Sequence, residues 1–227
     1  MKKFKISNYL IGDSNVPFII AEAGVNHNGS LKIGKKMIDV AAKAGAHAIK
    51  FQSFLTDEII LKQAPKATYH KRTTGSDEDL SWYDLLKSQE MNYVMHKKLI
   101  EHCKKRRIIF LSTPYDEKSA DLLEKLKVKA FKIASTDNNN IKLLAHIAKK
   151  KIPIILSTGM IDMRTLEQSI NVIKKNGNKK ISILQCTSNY PCSNENLNLS
   201  IIREFKKKFQ VPVGFSDHTE GNFASIV

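Results

Sequence analysis

Seven short apolar runs alternate along the chain with segments of helical periodicity. The runs begin near residues 18, 48, 108, 130, 153, 181 and 211, and each has the length of a buried strand. Between the runs, apolar side chains recur every three or four residues, as in Met37, Ile38 and Ala41, which is typical of an amphipathic helix. The alternation predicts a parallel sheet, and runs that are apolar on both faces predict that helices cover it.

Capping residues predict where several of these helices begin. Ser30 and Asp116 directly precede amphipathic segments, where a side-chain oxygen can accept hydrogen bonds from free backbone N–H groups. Thr165, three residues before Gln168, is interpreted as the start of a capping box. These signals predict helices after the first, third and fifth runs.

Polar residues end nearly every apolar run. Glu22 follows the first run, Thr113 the third and His218 the seventh. In an open doubly wound sheet, functional residues concentrate at one switch point, whereas in a (βα)8 barrel every strand end faces one central site. The pattern therefore favours an α/β fold of the TIM (βα)8-barrel type over an open sheet.

The same pattern indicates one main domain. Residues 1–16 are interpreted as an N-terminal extension and residues 17–227 as the barrel domain. Because the sequence ends nine residues after His218, we expect a barrel truncated after its seventh strand, with unpaired sheet edges. We expect residues 1–227 alone to be aggregation-prone and catalytically inactive. The connection between the second and third runs is long, and its polar residues 73–79 suit a lid loop.

The charge balance raises the question of nucleic-acid binding. The chain has 37 basic and 22 acidic residues, a net charge of +15, yet only five of the basic residues are arginine. Base recognition favours arginine, and the lysines are spread along the helical segments. We therefore expect a solvated basic surface and no nucleic-acid partner, although a field that attracts anionic metabolites stays open.

Several classes of protein are disfavoured by simple patterns. No apolar run reaches the roughly 18 residues of a membrane helix, and the N-terminus shows no apolar segment of a signal peptide. The three cysteines, Cys103, Cys186 and Cys192, form no Cys-x-x-Cys motif, so neither a disulfide framework nor a zinc knuckle is indicated. We expect a cytoplasmic protein that has no contact with a membrane.

Two lysines interrupt apolar runs. Lys50 lies in Ala48-Ile-Lys-Phe-Gln and Lys132 in Ala130-Phe-Lys-Ile-Ala, and a buried lysine is costly unless it is paired. Three interpretations stay open: a side chain that reaches solvent at a strand end, a Schiff-base lysine, and two cations that converge on one anion. Two lysines on different strands suit the anion better, because a Schiff base needs only one.

Hydroxyl-rich endings repeat after four of the runs. They are Leu111-Ser-Thr-Pro, Ala134-Ser-Thr-Asp, Leu156-Ser-Thr-Gly and Cys186-Thr-Ser. Hydroxyls and free backbone N–H groups at strand-to-helix turns bind anions, and Gly159 allows a close approach of the backbone. Ordinary helix capping is the alternative for any one of them, but four together favour an anion site.

Three further residues are candidates for chemistry. Glu22 within an apolar run is either paired with a lysine or acts as a base, and His27 either shapes its turn or belongs to a site. His218 at a strand end suits Mn²⁺ or Zn²⁺, whereas Cys186 is interpreted as a packing residue. The other histidines are interpreted as surface residues of helices or loops: His47, His70, His96, His102 and His146.

Seven ordered motifs together resemble the sialic acid synthase family, which comprises N-acetylneuraminate synthases and their legionaminate and pseudaminate relatives. The motifs are Ile20-Ala-Glu-Ala-Gly-Val-Asn-His-Asn-Gly-Ser, Ile49-Lys-Phe-Gln, Phe110-Leu-Ser-Thr-Pro, Phe131-Lys-Ile-Ala-Ser, Ile155-Leu-Ser-Thr-Gly-Met, Cys186-Thr-Ser-Asn-Tyr-Pro and Gly214-Phe-Ser-Asp-His-Thr. The resemblance covers roughly residues 16–224. It implies a TIM barrel followed by a C-terminal antifreeze-like domain, and no such domain is visible in this sequence.

The resemblance also implies an activity and a set of site residues. The family condenses phosphoenolpyruvate with an N-acetylated hexose, releases phosphate, and requires a divalent metal, commonly Mn²⁺, with Mg²⁺ or Co²⁺ as alternatives. By resemblance, Glu22 is the catalytic carboxylate and His218 one of two metal-binding histidines. The implied substrate-binding residues are Lys50, Gln52, Thr113, Lys132, Ser135, Ser157, Gly159, Ser188, Tyr190 and Ser216. The full-length form is expected to be a homodimer.

The anion motifs agree with this chemistry. Phosphoenolpyruvate has two anionic ends, which two lysines and several hydroxyl turns can hold. A metal would polarise the acceptor carbonyl as a Lewis acid, and Glu22 would orient or deprotonate the attacking water. One departure affects acceptor choice: the family often has Ser-Gly-Glu where this chain has Ser135-Thr-Asp, so Asp137 keeps the charge with a shorter reach.

Two other functions stay open. A different phosphoenolpyruvate-dependent synthase of a 3-deoxy-keto acid would want an arginine-rich pocket for a sugar phosphate, and none of the five arginines lies in a strand-end motif. The chain is alternatively a non-catalytic remnant that binds anions or a partner subunit. The acceptor, N-acetylmannosamine or a diacetamido sugar, is not fixed by these motifs.

Overall fold

The computed structural model describes residues 3–12, 16–66, 71, 74–76 and 80–226. These residues form two compact units, each considered by itself. We call Ile19–Lys127 the three-strand unit, and we call Met1–Phe18 together with Val128–Val227 the four-strand unit.

The elements of the described residues follow the predicted alternation. The strands are β1 (Phe4–Ile6), β2 (Tyr9–Ile11), β3 (Ile20–Gly24), β4 (Ala48–Ser53), β5 (Ile109–Pro114), β6 (Phe131–Ile133), β7 (Ile154–Ser157), β8 (Ile181–Cys186) and β9 (Val213–Ser216). The α-helices are α1 (Leu31–Lys43), α2 (Thr56–Ile59), α3 (Trp82–Gln89), α4 (Tyr93–Lys105), α5 (Glu117–Lys125), α6 (Ile141–Lys149), α7 (Met163–Lys175), α8 (Ile201–Phe209) and α9 (Phe223–Ile226). Short 3-10 helices lie at Ser135–Asp137 and Asn194–Asn196.

In the three-strand unit, β3, β4 and β5 pair in parallel and in chain order. The register sets Glu22 opposite Lys50, and Gln52 opposite Thr113. An irregularity in the ladder after Glu22 re-aims the end of β3. The register therefore places four of the predicted site residues on paired strands.

In the four-strand unit, β6, β7, β8 and β9 also pair in parallel and in chain order. The strands β6 and β7 are buried at every position, because helices such as α6 and α7 cover the sheet with fully buried leucines and isoleucines. Each strand is followed by a helix or helical turn, which is the repeating unit of a TIM-type α/β fold.

The seven predicted parallel strands are therefore confirmed within the two units. Ser30 and Asp116 are confirmed as N-caps, because their side chains accept from the backbone N–H groups of Ile33 and Ser119. The predicted capping box at Thr165 is wrong. The helix begins earlier, at Met163, and its cap is Asp162, which accepts from the Thr165 N–H at 2.7 Å.

Three further predictions concern the N-terminal segment, the histidines and the predicted lid loop. The N-terminal segment contains an antiparallel hairpin of β1 and β2 with Phe4 and Ile6 buried, whereas the sequence predicted only an extension. The interpretation of His96 as a surface residue is wrong, since it is 1% exposed. His70 and most of the predicted lid loop, 73–79, lie outside the described residues.

Within the described ranges, none of the helices combines the length and the apolar composition that crossing a membrane requires. All three cysteines are buried and unbridged.

Candidate active site

The catalytic candidate Glu22 forms an ion pair in the three-strand unit. Its Oε2 lies 2.6 Å from Lys50 Nζ, because β3 and β4 place the two residues opposite each other. The Lys50 side chain is 11% exposed and that of Glu22 is 54% exposed, so the lysine charge is buried while the carboxylate reaches solvent. The structure thus shows that Glu22 is paired with a lysine.

Gly24 leaves room beside this pair. Its φ of +55° lies in the left-handed region, and a Cβ added there would lie 3.5 Å from Glu22 Oε1 and 3.9 Å from Gln52 Nε2. Gln52 is thus near Glu22, while its register partner Thr113 is 1% exposed. The strand ends of this unit therefore bring Glu22, Lys50 and Gln52 together.

A buried hydroxyl and imidazole network lies next to these strand ends. Ser53 Oγ contacts Ser112 Oγ at 2.6 Å and His96 Nε2 at 2.7 Å. The other His96 nitrogen, Nδ1, lies 2.9 Å from the carbonyl of Asn92 and therefore donates to it. Burial lowers the pKa of His96 in spite of this carbonyl, so the imidazole is neutral near pH 7.

His27 shapes the turn after β3. Its Nδ1 accepts from the Gly29 N–H at 3.0 Å, and its carbonyl accepts from the Ser30 N–H at 2.8 Å. The side chain is fully buried, and burial, followed by the nearby His96, lowers its pKa. The structure thus shows the turn-shaping role that the sequence left open.

The four-strand unit holds the second lysine. Lys132 is 6% exposed, and its Nζ donates to Ser157 Oγ and, at 3.2 Å, to the Ile133 carbonyl. Because Lys132 lies opposite Ile155 in the parallel register, its side chain reaches the end of β7. A buried ammonium group and a serine hydroxyl therefore meet there, which is a suitable pair of donors for an anion.

Gly159 brings three polar groups close to the same turn. Its N–H donates to Ser135 Oγ at 3.0 Å. A Cβ at this position would collide with Ser188 Oγ, and it would come within 3.0 Å of Ser135 Oγ and of the Cys186 carbonyl. The close approach predicted at Gly159 is thus required by its neighbours, and the structure brings Ser135, Gly159 and Ser188 together.

Cys186 contacts this group of residues, although the sequence assigned it to packing. Its Sγ accepts from Ser135 Oγ at 3.7 Å and lies 3.8 Å from His218 Nδ1. Burial acts to raise the pKa of the Cys186 thiol, but the hydrogen bond with His218 and the charges of His218 and Lys132 outweigh burial and lower it. A low-pKa thiol beside an imidazole is more nucleophilic than an ordinary buried cysteine.

The two ring nitrogens of His218 have different partners. Nδ1 lies 2.7 Å from the Thr187 carbonyl, to which it donates, and Nε2 lies 3.2 Å from Tyr190 Oη. The Tyr190 ring also packs on the imidazole, with 4.2 Å between the centroids. The hydrogen bond of Cys186 raises the pKa of His218 against the opposing effect of burial.

This geometry bears on the predicted metal ligand. A metal-binding histidine usually donates one N–H to a carbonyl and ligates through the other nitrogen, and His218 has this arrangement toward Thr187. However, no group of three or more His, Cys, Asp or Glu residues within the described ranges is placed to hold a metal ion. His218 thus fits one ligand position, and the described residues do not complete a metal centre.

Two further residues, Ser216 and Asn138, lie near the ends of these strands. Ser216 lies opposite Cys186 in the register of β8 and β9 and is half-buried. Asn138, which was not among the predicted site residues, donates through Nδ2 to the carbonyl of Ser157. No sequence signal distinguished it within the run Asn138-Asn-Asn, because only tertiary packing buries the first of the three.

Comparison with known proteins gives a consistent result. Residues 37–227 match the NeuB family. The N,N'-diacetyllegionaminic acid synthase of Campylobacter jejuni is 46% identical over 210 residues, which are 92% of this chain and 62% of that protein. The enzyme of the same name from Legionella pneumophila is 42% identical over 214 residues, 92% of this chain and 60% of that protein. The chain thus spans about three fifths of the length of these relatives.

A solved structure agrees with the sequence matches. The crystal structure of N-acetylneuraminic acid (sialic acid) synthetase from Leptospira borgpetersenii, in complex with citrate, superposes with a TM-score of 0.85 at 34% identity. The match covers 98% of this chain and 72% of that one. The α/β fold is therefore shared across nearly the whole chain.

Proposed function

Because the chain belongs to the NeuB family, we propose that it is the catalytic region of a nonulosonic acid synthase. It condenses phosphoenolpyruvate with an N-acetylated hexose, such as N-acetylmannosamine, and releases phosphate. The enzyme class is accordingly a transferase that forms a carbon–carbon bond.

The observation that carries this proposal is a cluster of polar groups in the four-strand unit. It consists of the buried Lys132 ammonium, the hydroxyls of Ser135, Ser157 and Ser188, and the turn at Gly159. Such a set of one cation, several hydroxyls and a closely approached backbone suits a phosphate or carboxylate group. Phosphoenolpyruvate carries both groups.

The reaction places different demands on the other residues. C3 of phosphoenolpyruvate attacks the aldehyde carbon of the open-chain sugar, water adds at C2, and phosphate leaves as the C–O bond breaks to give the keto group. We assign Glu22 to the water step, as the group that orients it or takes its proton. The Lys50 ion pair at 2.6 Å supports this role, because it holds the carboxylate in place while the Glu22 side chain, 54% exposed, reaches water.

A divalent metal, with Mn²⁺ as the first choice, belongs to the same proposal. When bound, it supplies Lewis-acid polarisation of the acceptor carbonyl. His218 would hold it through Nε2, since Nδ1 donates to the Thr187 carbonyl, and Tyr190 would then give up its hydrogen bond to Nε2.

The acceptor is the least constrained part. Two relatives are named diacetyllegionaminic acid synthase, which favours a diacetamido sugar over N-acetylmannosamine. Asp137 follows β6 where the family often has glutamate, and burial raises its pKa. The shorter side chain at this point would leave space for a larger acceptor. We also propose a homodimer in the cytoplasm as the working form.

The test is product formation from phosphoenolpyruvate. The chain, and any longer form of the protein, is incubated with phosphoenolpyruvate, Mn²⁺ and either N-acetylmannosamine or a 2,4-diacetamido hexose, and the keto acid and free phosphate are measured. Arabinose 5-phosphate and erythrose 4-phosphate serve as acceptors of the alternative synthases. Turnover with a sugar phosphate alone would replace the proposed activity. Anion binding without turnover by any form would support a non-catalytic remnant.

A further inference from the structure

A single turn after β6 holds both ends of the Ser157–Gly159 segment. The N–H of Gly159 donates to Ser135 Oγ at 3.0 Å, and Nδ2 of Asn138 donates to the carbonyl of Ser157. Ser135 begins the 3-10 turn Ser135–Asp137, and Asn138 is its C-cap. Two residues of one turn therefore fix the two peptide groups that flank Thr158.

Thr158, the middle residue of the segment, is held by a different strand. Thr158 Oγ1 donates to the carbonyl of Leu184 on β8 at 3.0 Å. The Ser157 hydroxyl itself accepts from Lys132 Nζ. The segment that presents the Ser157 hydroxyl and the Gly159 backbone is thus held by β6, β7 and β8 together.

Asn138 is rigidly placed for this contact. It is 0% exposed, and its backbone carbonyl accepts from Ser169 Oγ on α7 at 2.6 Å. Its Oδ1 is buried and has no hydrogen-bond partner among the described residues, and a buried unpaired acceptor is costly. The contribution of the side chain to the fold therefore comes through the Nδ2 donor and its single acceptor, the Ser157 carbonyl.

We propose that Asn138 is a positioning residue for the anion site. Its amide holds the Ser157–Thr158 peptide group and thereby the direction of the Ser157 hydroxyl, without touching the anion, while the Gly159 N–H stays hydrogen-bonded to Ser135 Oγ. Donors that are already aligned bind an anion more tightly, because they need no reorganisation. The identity of the anion, phosphoenolpyruvate, rests on the proposed function, whereas the contact itself does not.

The first test needs no ligand. Amide hydrogen exchange at Gly159 is measured by NMR in the wild-type chain, in Asn138→Leu, which keeps most of the volume without the donor, and in the exposed neighbour control Asn139→Ala. We expect exchange at Gly159 about tenfold faster in Asn138→Leu and unchanged in Asn139→Ala. If Asn138→Leu does not fold, Asn138→Asp, which keeps the shape but offers an acceptor near pH 8, takes its place. Unchanged exchange at Gly159 overturns the proposal.

The second test separates positioning from simple destabilisation. Titration calorimetry with phosphoenolpyruvate should show a Kd about tenfold higher for Asn138→Leu than for wild type or Asn139→Ala. In a Ser157→Ala background the same substitution should change the Kd much less, because its effect passes largely through Ser157. A residue that only stabilises the fold would lower the Tm and leave the Kd of the folded chain unchanged, and that result overturns the proposal. Should the wild type bind no phosphoenolpyruvate while Gly159 exchange still responds, the proposed function fails and the positioning role stands.

Discussion

The two lysines that interrupt apolar runs lie in different surroundings in the two units. In the three-strand unit, Lys50 donates to the Glu22 carboxylate at 2.6 Å. In the four-strand unit, Lys132 donates to the Ser157 hydroxyl and the Ile133 carbonyl, and its charge acts on Cys186 and His218. The same sequence signal thus produces an ion pair in one unit and a charged donor among hydroxyls in the other.

This difference predicts a division of roles. A carboxylate at 2.6 Å offsets much of the Lys50 charge toward an incoming anion, whereas hydroxyl and carbonyl groups do not. We therefore expect the four-strand unit to contribute most of the anion affinity, and the three-strand unit to contribute the carboxylate chemistry of Glu22.

The largest expected contrast between the units is in thiol reactivity. Burial raises the pKa of Cys103 in the three-strand unit to about 12, while the pKa of Cys186 is lowered because the His218 contact and the nearby charges outweigh burial. At about pH 8 with a chelator present, iodoacetamide should alkylate Cys186 at least about 1000-fold faster than Cys103. Peptide mass spectrometry over time measures both alkylation rates in a Cys192→Ser chain. Equal rates would show that the access of iodoacetamide to the sulfur, and not the fraction of thiolate, determines the alkylation rate.

Removal of each lysine tests the division of roles directly. Lys132→Ala should weaken phosphoenolpyruvate binding by about 2–5 kcal/mol, because the anion loses a desolvated cation. Lys50→Ala should cost less affinity, since its charge is already offset by Glu22. Calorimetry on both variants gives the comparison, with the exposed Lys149→Ala as control. A larger loss from Lys50→Ala would reverse the assignment.

Glycine substitution probes the close packing around the proposed anion site. Gly159→Ala should lower phosphoenolpyruvate affinity about tenfold and stability by about 1–3 kcal/mol, because the new Cβ would collide with Ser188 Oγ. Gly214→Ala is a matched control, since its Cβ would meet only the flexible end of Leu184 at 2.9 Å. Urea unfolding and calorimetry measure both variants. Similar affinity losses in the two would argue against a role of Gly159 at the site.

The smallest effect is a difference in pH dependence. Burial lowers the pKa of His27 and of His96 below the usual 6.5, so the unfolded chain binds protons that the folded chain does not. This contribution is present above about pH 6.5 and is lost below it at up to about 1.4 kcal/mol per pH unit for each histidine. Contact with Cys186 raises the pKa of His218, so its contribution is present below 6.5 and is lost as the pH rises through the folded value.

Urea unfolding between about pH 5 and pH 8 measures these slopes. His27→Gln or His96→Gln should flatten the acid side of the stability profile, whereas His218→Gln should leave that side unchanged and remove a loss of stability above about pH 6.5. A wild-type profile that is flat below pH 6.5 would show that the two buried histidines titrate as they do in the unfolded chain.

Much of the fold was predictable because burial leaves a periodic signal in the sequence. The seven apolar runs became seven strands, since a strand covered on both faces must be apolar along its length. The caps at Ser30 and Asp116 were predictable for a local reason, the need of the first helical N–H groups for an acceptor. The predicted cap at Thr165 was wrong for the same local reason, because Asp162, three residues earlier, is an equally good cap and the helix begins directly after it.

The sequence by itself determined the family, the strand–helix order and the residues that could hold an anion, because each depends on residue type and spacing along the chain. The tertiary structure alone decided that Lys50 pairs with Glu22, that His96 is buried, that Cys186 contacts His218, and that Asn138 reaches the Ser157 carbonyl. These contacts join residues from different strands and loops. Their distances follow from sheet register and helix packing, which no local pattern of residues encodes.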